Sequence, residues 1–146
     1  MNRFVSFREA AVVLAVFAAW CLAGPATAAR AVEFSAAGSF TVTYAKGNKS
    51  ASDLEGRSSP GGPFTGETAG HWRGKVFYGS ATFDYAEGSL QLVYSVAYDA
   101  ATGSDVGTWE VIDGTGVFEG ATGGGAIIIT GDGSGGGTFT MSGDID

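Results

Sequence analysis

The sequence predicts an all-β fold: a meander of short antiparallel hairpins closed as a barrel or sandwich, behind an N-terminal export signal. Three observations carry this. Apolar residues after position 30 recur with period two, and no window shows a sustained i, i+3, i+4, i+7 pattern. The chain has 25 glycines against three prolines, and the glycines punctuate segments rich in Val, Ile, Phe, Tyr, Trp and Thr, residues that suit a half-buried pleated surface. The first residues follow the three-part order of a secretory signal.

That order begins with Arg3 and Arg8. An apolar run from Ala10 to Leu22 follows, then a break at Gly24-Pro25 and the small residues Ala26-Thr27-Ala28. The run is shorter than the roughly 20 residues a transmembrane helix needs. Residues 1–28 are therefore expected to be a signal peptide cleaved after Ala28, with Ala31 as the alternative point. Residues 29–146 form a single domain that is secreted or periplasmic and has no stable membrane insertion once the signal is removed. Trp20 stands where a lipidated cysteine needs a small neighbour, which argues against lipidation of Cys21. Cys21 is the only cysteine, so the mature chain has no disulfide, cysteine nucleophile or thiolate metal site.

Removing Arg3, Arg8 and Glu9 from the count leaves six basic and fourteen acidic residues, a net charge of −8. Like charge repels nucleic acid and anionic lipid, so no nucleic-acid partner is expected.

Phe40, Val42 and Tyr44 share one predicted face of the first strand. Phe77, Gly79, Ala81, Phe83 and Tyr85 form a second row. The clearest strand is 89–98, with Leu90, Leu92, Tyr94, Val96 and Tyr98 on one side. Trp109 and Val111 alternate with Thr108 and Glu110, Ala126–Thr130 is a short apolar run, and Phe139 and Met141 alternate with threonines and serine. Residues 46–50, 99–107 and 131–137 read as turn clusters. Residues 56–70, which hold Pro60 and Pro63, read as a long loop with a short strand around 64–67.

Residues 107–130 carry a resemblance. Gly114-Thr115-Gly116-Val117-Phe118-Glu119-Gly120-Ala121-Thr122-Gly123 is similar to the glycine-phenylalanine turn of the allene oxide cyclase and dirigent superfamily, and 138–145 looks like the closing strand. The resemblance implies a small eight-stranded antiparallel barrel with an apolar interior, Gly114, Gly116, Gly120 and Gly123 serving tight backbone geometry, and Phe118 plugging one end. It also implies cyclisation of a fatty-acid allene oxide or steering of phenol coupling. Neither catalytic set maps onto this chain: the first strand offers only Glu33, and Thr122 stands in the turn where dirigent proteins often place arginine.

Candidate chemistry is sparse. His71, the only histidine, is either an acid or base at a pocket mouth or a solvated strand-end residue beside a buried Trp72. Glu33 is either a buried base or an exposed acid near the mature N-terminus. Asp84 and Glu110 lie on faces opposite their aromatic neighbours. Tyr44, Tyr78, Tyr94, Tyr98 and Trp109 either line a lumen, where rings with polar tips hold an apolar ligand, or pack as ordinary core. No metal site or cofactor is implied, and Gly123-Gly124-Gly125 lacks the helix and lysine of a phosphate loop. The expected partner is a small apolar molecule in the lumen. The rivals are a cofactor-free isomerase or cyclase and a structural protein with a packed barrel.

Overall fold

A computed structural model describes residues 30–146; the expected signal segment and its cleavage after Ala28 lie outside the described residues. Eight strands follow one another: β1 (Val32–Lys46), β2 (Lys49–Ser59), β3 (Gly62–Arg73), β4 (Val76–Tyr85), β5 (Gly88–Asp99), β6 (Ser104–Gly116), β7 (Gly123–Gly131) and β8 (Gly136–Ile145). Each pairs antiparallel with the next, and β8 returns to β1, from Val32 opposite Ile145 to Thr41 opposite Gly136. Closure satisfies the ladder all round and leaves no free edge.

Period-two alternation sorts the side chains. Phe34, Leu54, Phe64, Phe83, Leu90, Leu92, Ile127, Phe139 and Met141 point inward and are buried, whereas outward positions such as Ser35, Asp53, Glu55, Arg57, Thr65 and Glu67 are exposed. Apolar inside and polar outside is the reverse of the barrel that crosses a membrane.

An eight-stranded barrel has room for little more than its own side chains. Here the large rings fit because glycines stand opposite them. Phe139 lies over Gly38, Phe64 over Gly56, Tyr94 over Gly79 and Phe40 over Gly137, each pair directly opposed across two strands. A methyl group at Gly38 or Gly56 would come within 2.9 Å of a Phe139 or Phe64 ring atom, and at Gly137 within 2.8 Å of Phe40.

The two ends differ. The lower end carries the β2–β3, β4–β5 and β6–β7 connections and is packed solid. Phe64 stacks on Phe83 with centroids 4.2 Å apart, and Tyr85 meets Phe118 at 4.9 Å. Phe118 is only 4% exposed although it belongs to a loop. It is turned inward by a loop built on Gly116 (φ 60°) and Gly120 (φ 73°), conformations that favour glycine. Gly114 works differently: its lack of a side chain lets the Phe118 backbone lie against β6. The expected plug and tight turns are therefore present.

Residues 56–70 are not the long loop expected from their Gly and Pro content. They are the end of β2, a turn at Pro60-Gly61, and most of β3. Pro63 occupies the start of a strand, where its missing N–H is tolerated. Gly66 and Gly70 face the lumen, where close approach of the neighbouring strand requires their small size. The 99–107 cluster likewise shrinks to a turn at 100–103, and 104–107 belong to β6.

Two predictions test this end of the barrel. Phe118→Ala is expected to lower stability by about 3 kcal/mol, the lower part of the range for deleting a buried ring, as read by urea unfolding. Burial pushes the Tyr85 hydroxyl up to about 12, despite a 2.8 Å hydrogen bond with Ser58. Between pH 10 and about 12 the unfolded chain loses this proton while the native state keeps it, so the contribution is complete below 10 and disappears as pH passes through the higher value. The stability difference between the native protein and Tyr85→Phe should therefore narrow across that interval; a constant difference would show that Tyr85 is not held protonated.

Candidate functional site

The upper end carries the β1–β2, β3–β4, β5–β6 and β7–β8 turns, and here the lumen is open. A cavity of about 170 Å³ enters between the strands and stops on the ring-packed floor. Its walls are apolar: Phe40 and Val42 from β1, Phe77 and Ala81 from β4, Leu92 and Val96 from β5, Ile127 and Ile129 from β7, with Phe139 and Met141 from β8. Trp72 forms part of the lip. It is 40% exposed rather than buried as the sequence suggested, and its ring meets Phe77 edge-on at 5.3 Å. The lip is held by Asn48: the Trp72 N–H donates to the Asn48 carbonyl (2.8 Å) and the Asn48 amide donates to the Trp72 carbonyl (3.2 Å).

Few polar groups reach this space. Ser50 and Ser52 line one wall from β2. The Tyr94 hydroxyl meets Thr68 Oγ1 at 2.7 Å, and Thr68 donates its own proton to the Ser80 carbonyl, 2.8 Å away. Tyr94 is therefore the donor of the pair, and burial raises its pKa. Asp105 of β6 is the one charged residue in the lining. It lies in register between Tyr98 of β5 and Ile129 of β7. Desolvation raises its pKa, and no hydrogen bond or nearby cation offsets that burial.

The residues singled out from the sequence separate into three groups. Tyr94 is the one of the five aromatics that lines the cavity. Trp109 faces inward but lies in packed core, 3% exposed against Phe34 at 5.2 Å. Its indole N–H is shared between the Ala126 carbonyl (3.0 Å) and the Ser142 carbonyl (3.2 Å), fastening β6 across β7 to β8. The remaining residues face water. Strict alternation puts Tyr44 on the Phe40–Val42 face, but a bulge between Val42 and Tyr44 shifts the phase. Tyr44 then pairs with Ala51, an outward position between inward Ser50 and Ser52, and is exposed. Tyr78 lies one residue off the inward row of β4 and stacks on His71 outside the barrel, with centroids 6.0 Å apart. Tyr98 sits beyond the rim and is 67% exposed. Glu33, His71, Asp84 and Glu110 are all on outward, exposed positions.

A second, broad and shallow hollow crosses the outer face of β3–β7 past His71, Tyr78, Ser95 and Glu110. It is wider than the lumen cavity but excludes no water, so it offers an apolar ligand little. Among the described residues, no group of three or more His, Cys, Asp or Glu side chains gathers to hold a metal.

No protein-family model, curated protein or solved structure matches the chain.

Asp105 was missed because it sits next to a turn rich in Gly, Asp and Ser, and the strand register confirms that 105, 107 and 109 share the inward face. Its signal in the sequence was the phase of Trp109 and Val111 extended four residues upstream. Because its folded pKa is raised above 3.8, the stability Asp105 confers is complete below that value and lost as pH climbs through the folded one. At pH 7 the ionised side chain is thus a burden. Asp105→Asn is expected to melt higher at pH 7, with the gap closing below pH 3.8; a lower melting temperature would reveal an unseen partner for the carboxylate.

Proposed function

We propose that this protein is an exported barrel that binds one small apolar molecule in the upper half of its lumen. The observation that supports this is the open apolar cavity above a sealed floor. An apolar cavity of about 150 Å³ accepts a benzene-sized ligand, so 170 Å³ suits a single ring or a short branched chain, with anything longer projecting through the mouth. The walls are apolar with a few converging polar groups, the usual composition of a small-molecule site. The basic start, apolar run and small residues of positions 1–28 support the exported part of the reading. Membership of the allene oxide cyclase and dirigent superfamily belongs to it too, supported by the closed antiparallel meander and by the Phe118 plug on its glycine turns.

Asp105 favours a second reading, catalysis by a cofactor-free isomerase or cyclase. A lumen enzyme needs an ionisable group inside, and Glu33, His71, Asp84 and Glu110 all lie outside. Asp105 with the Tyr94 hydroxyl would be the acid–base equipment of such a site. A purely structural barrel fits the packed lower half but gives no reason for the open upper one.

The test is a panel of small aromatic, terpenoid and short-chain compounds titrated against residues 30–146, with tryptophan emission and calorimetry as readouts. Ser50→Phe fills the wall near the mouth and is expected to weaken every ligand at least tenfold while leaving the melting temperature within a few degrees. No binding across the panel, or binding that Ser50→Phe leaves unchanged, would remove the lumen from consideration.

A further inference from the structure

The chemistry of the cavity narrows its ligand, on the reading that the lumen binds a small molecule at all. We propose that the ligand is a small apolar amine, with its hydrocarbon body between Phe77, Leu92 and Ile129 and its ammonium group on the Asp105 carboxylate at the mouth.

Three observations converge on this. The cavity holds one charged side chain, and it is an acid. That carboxylate lines the same space as the apolar walls, because β6 alternation turns Asp105 inward with Gly107 and Trp109. Part of its surface is taken from water beside Ile129 of β7, and it makes no hydrogen bond. A partly desolvated acceptor with no partner is what a cationic donor repairs: an ammonium makes a charge-assisted hydrogen bond there and restores the carboxylate to its ordinary range. A carboxylate ligand would meet repulsion at the same point. Binding that depended on pH would reflect Asp105 and the amine itself.

The other charged groups of this end do not change the sign inside the lumen. Lys46, Lys49, Arg73 and Lys75 are exposed on the β1–β2 and β3–β4 hairpins, and Asp99 and Asp132 are on the β5–β6 and β7–β8 turns. None of these six lines the cavity. Ser50 and Ser52 come from β2, three strands from β7 and four from β6 in the closed ring, so they face Asp105 across the opening. They would accept or donate to a second polar atom of the ligand without competing for its charge.

The experiment compares three near-isosteric probes, 2-phenylethylamine, 2-phenylethanol and 3-phenylpropanoate, by NMR titration of residues 30–146. Among the described residues, these hold the eight strands and the buried core cluster that lines the barrel. The amine is expected to bind about tenfold more tightly than the alcohol, the ratio a hydrogen bond to a charged group supports, and the carboxylate more weakly than either. Asp105→Asn should bring the amine to the affinity of the alcohol and leave the alcohol unchanged. In the unaltered protein, raising the pH above the pKa of the amine should remove the same advantage. Equal binding of amine and alcohol, or an amine preference that survives Asp105→Asn, overturns this inference alone. Failure of all three probes at millimolar concentration overturns it together with the lumen-binding reading.

Discussion

The structure rests on aromatic rings laid over glycines across the strand ladder. A closed sheet of eight strands encloses so narrow a space that rings from every strand cannot coexist. Pairing each large side chain with a glycine on its neighbour solves this: Phe139 on Gly38, Phe64 on Gly56, Tyr94 on Gly79 and Phe40 on Gly137. Such alternation of small and large inward residues is how small barrels fill their taper. The glycines weaken the strands locally, since they lose more backbone freedom on folding and pack nothing themselves. The rings offset this by burying large apolar areas against the exposed backbone of the partner strand.

The same device decides where the barrel is full and where it is hollow. In the lower half Phe34, Phe64, Phe83, Tyr85, Phe118 and Trp109 meet ring against ring. In the upper half the inward positions include Ser50, Ser52, Thr68, Gly70, Ala81 and Gly107, which are too small to meet across the axis. A cavity remains whose floor is rigid, because native-density packing below it cannot yield without strain. Its mouth is fixed on one side by the Asn48–Trp72 pair of hydrogen bonds, which tie the β1–β2 tip to the end of β3. Preformed walls of this kind spare a ligand the cost of ordering its own site.

Polarity is distributed with the same economy. Most of the acids stand on the outer face, while the interior has hydroxyls that satisfy one another: Tyr94 with Thr68, and Tyr85 with Ser58, which donates in turn to the Pro60 carbonyl at 2.7 Å. Among the described residues, no buried side-chain nitrogen or oxygen lacks a partner. Asp105 stands apart from this pattern as the one acid held against apolar neighbours at the cavity mouth. Groups kept in such positions are where perturbed ionisation and function tend to coincide.

The all-β class and the shared-face rows of β4 and β5 were legible in the sequence, because period-two alternation is a local signal, while the Phe118 plug was expected only from the resemblance of residues 114–123 to the allene oxide cyclase and dirigent turn. The sequence left the strand content of 56–70 hidden, since a glycine required by a neighbour's ring reads the same as a glycine required by a turn. The site was less legible. Tyr44 followed the expected alternation until a single bulge reversed it, and one extra residue sends every later side chain to the opposite face. Trp109 was correctly turned inward, but its depth depends on Gly125 and Gly143 in strands far along the chain. Which end of the lumen is open, and that Asp105 lies in it, follows from the three-dimensional fold. Both depend on the closure of β8 on β1 and on the relative register of eight strands, quantities that no window of sequence contains.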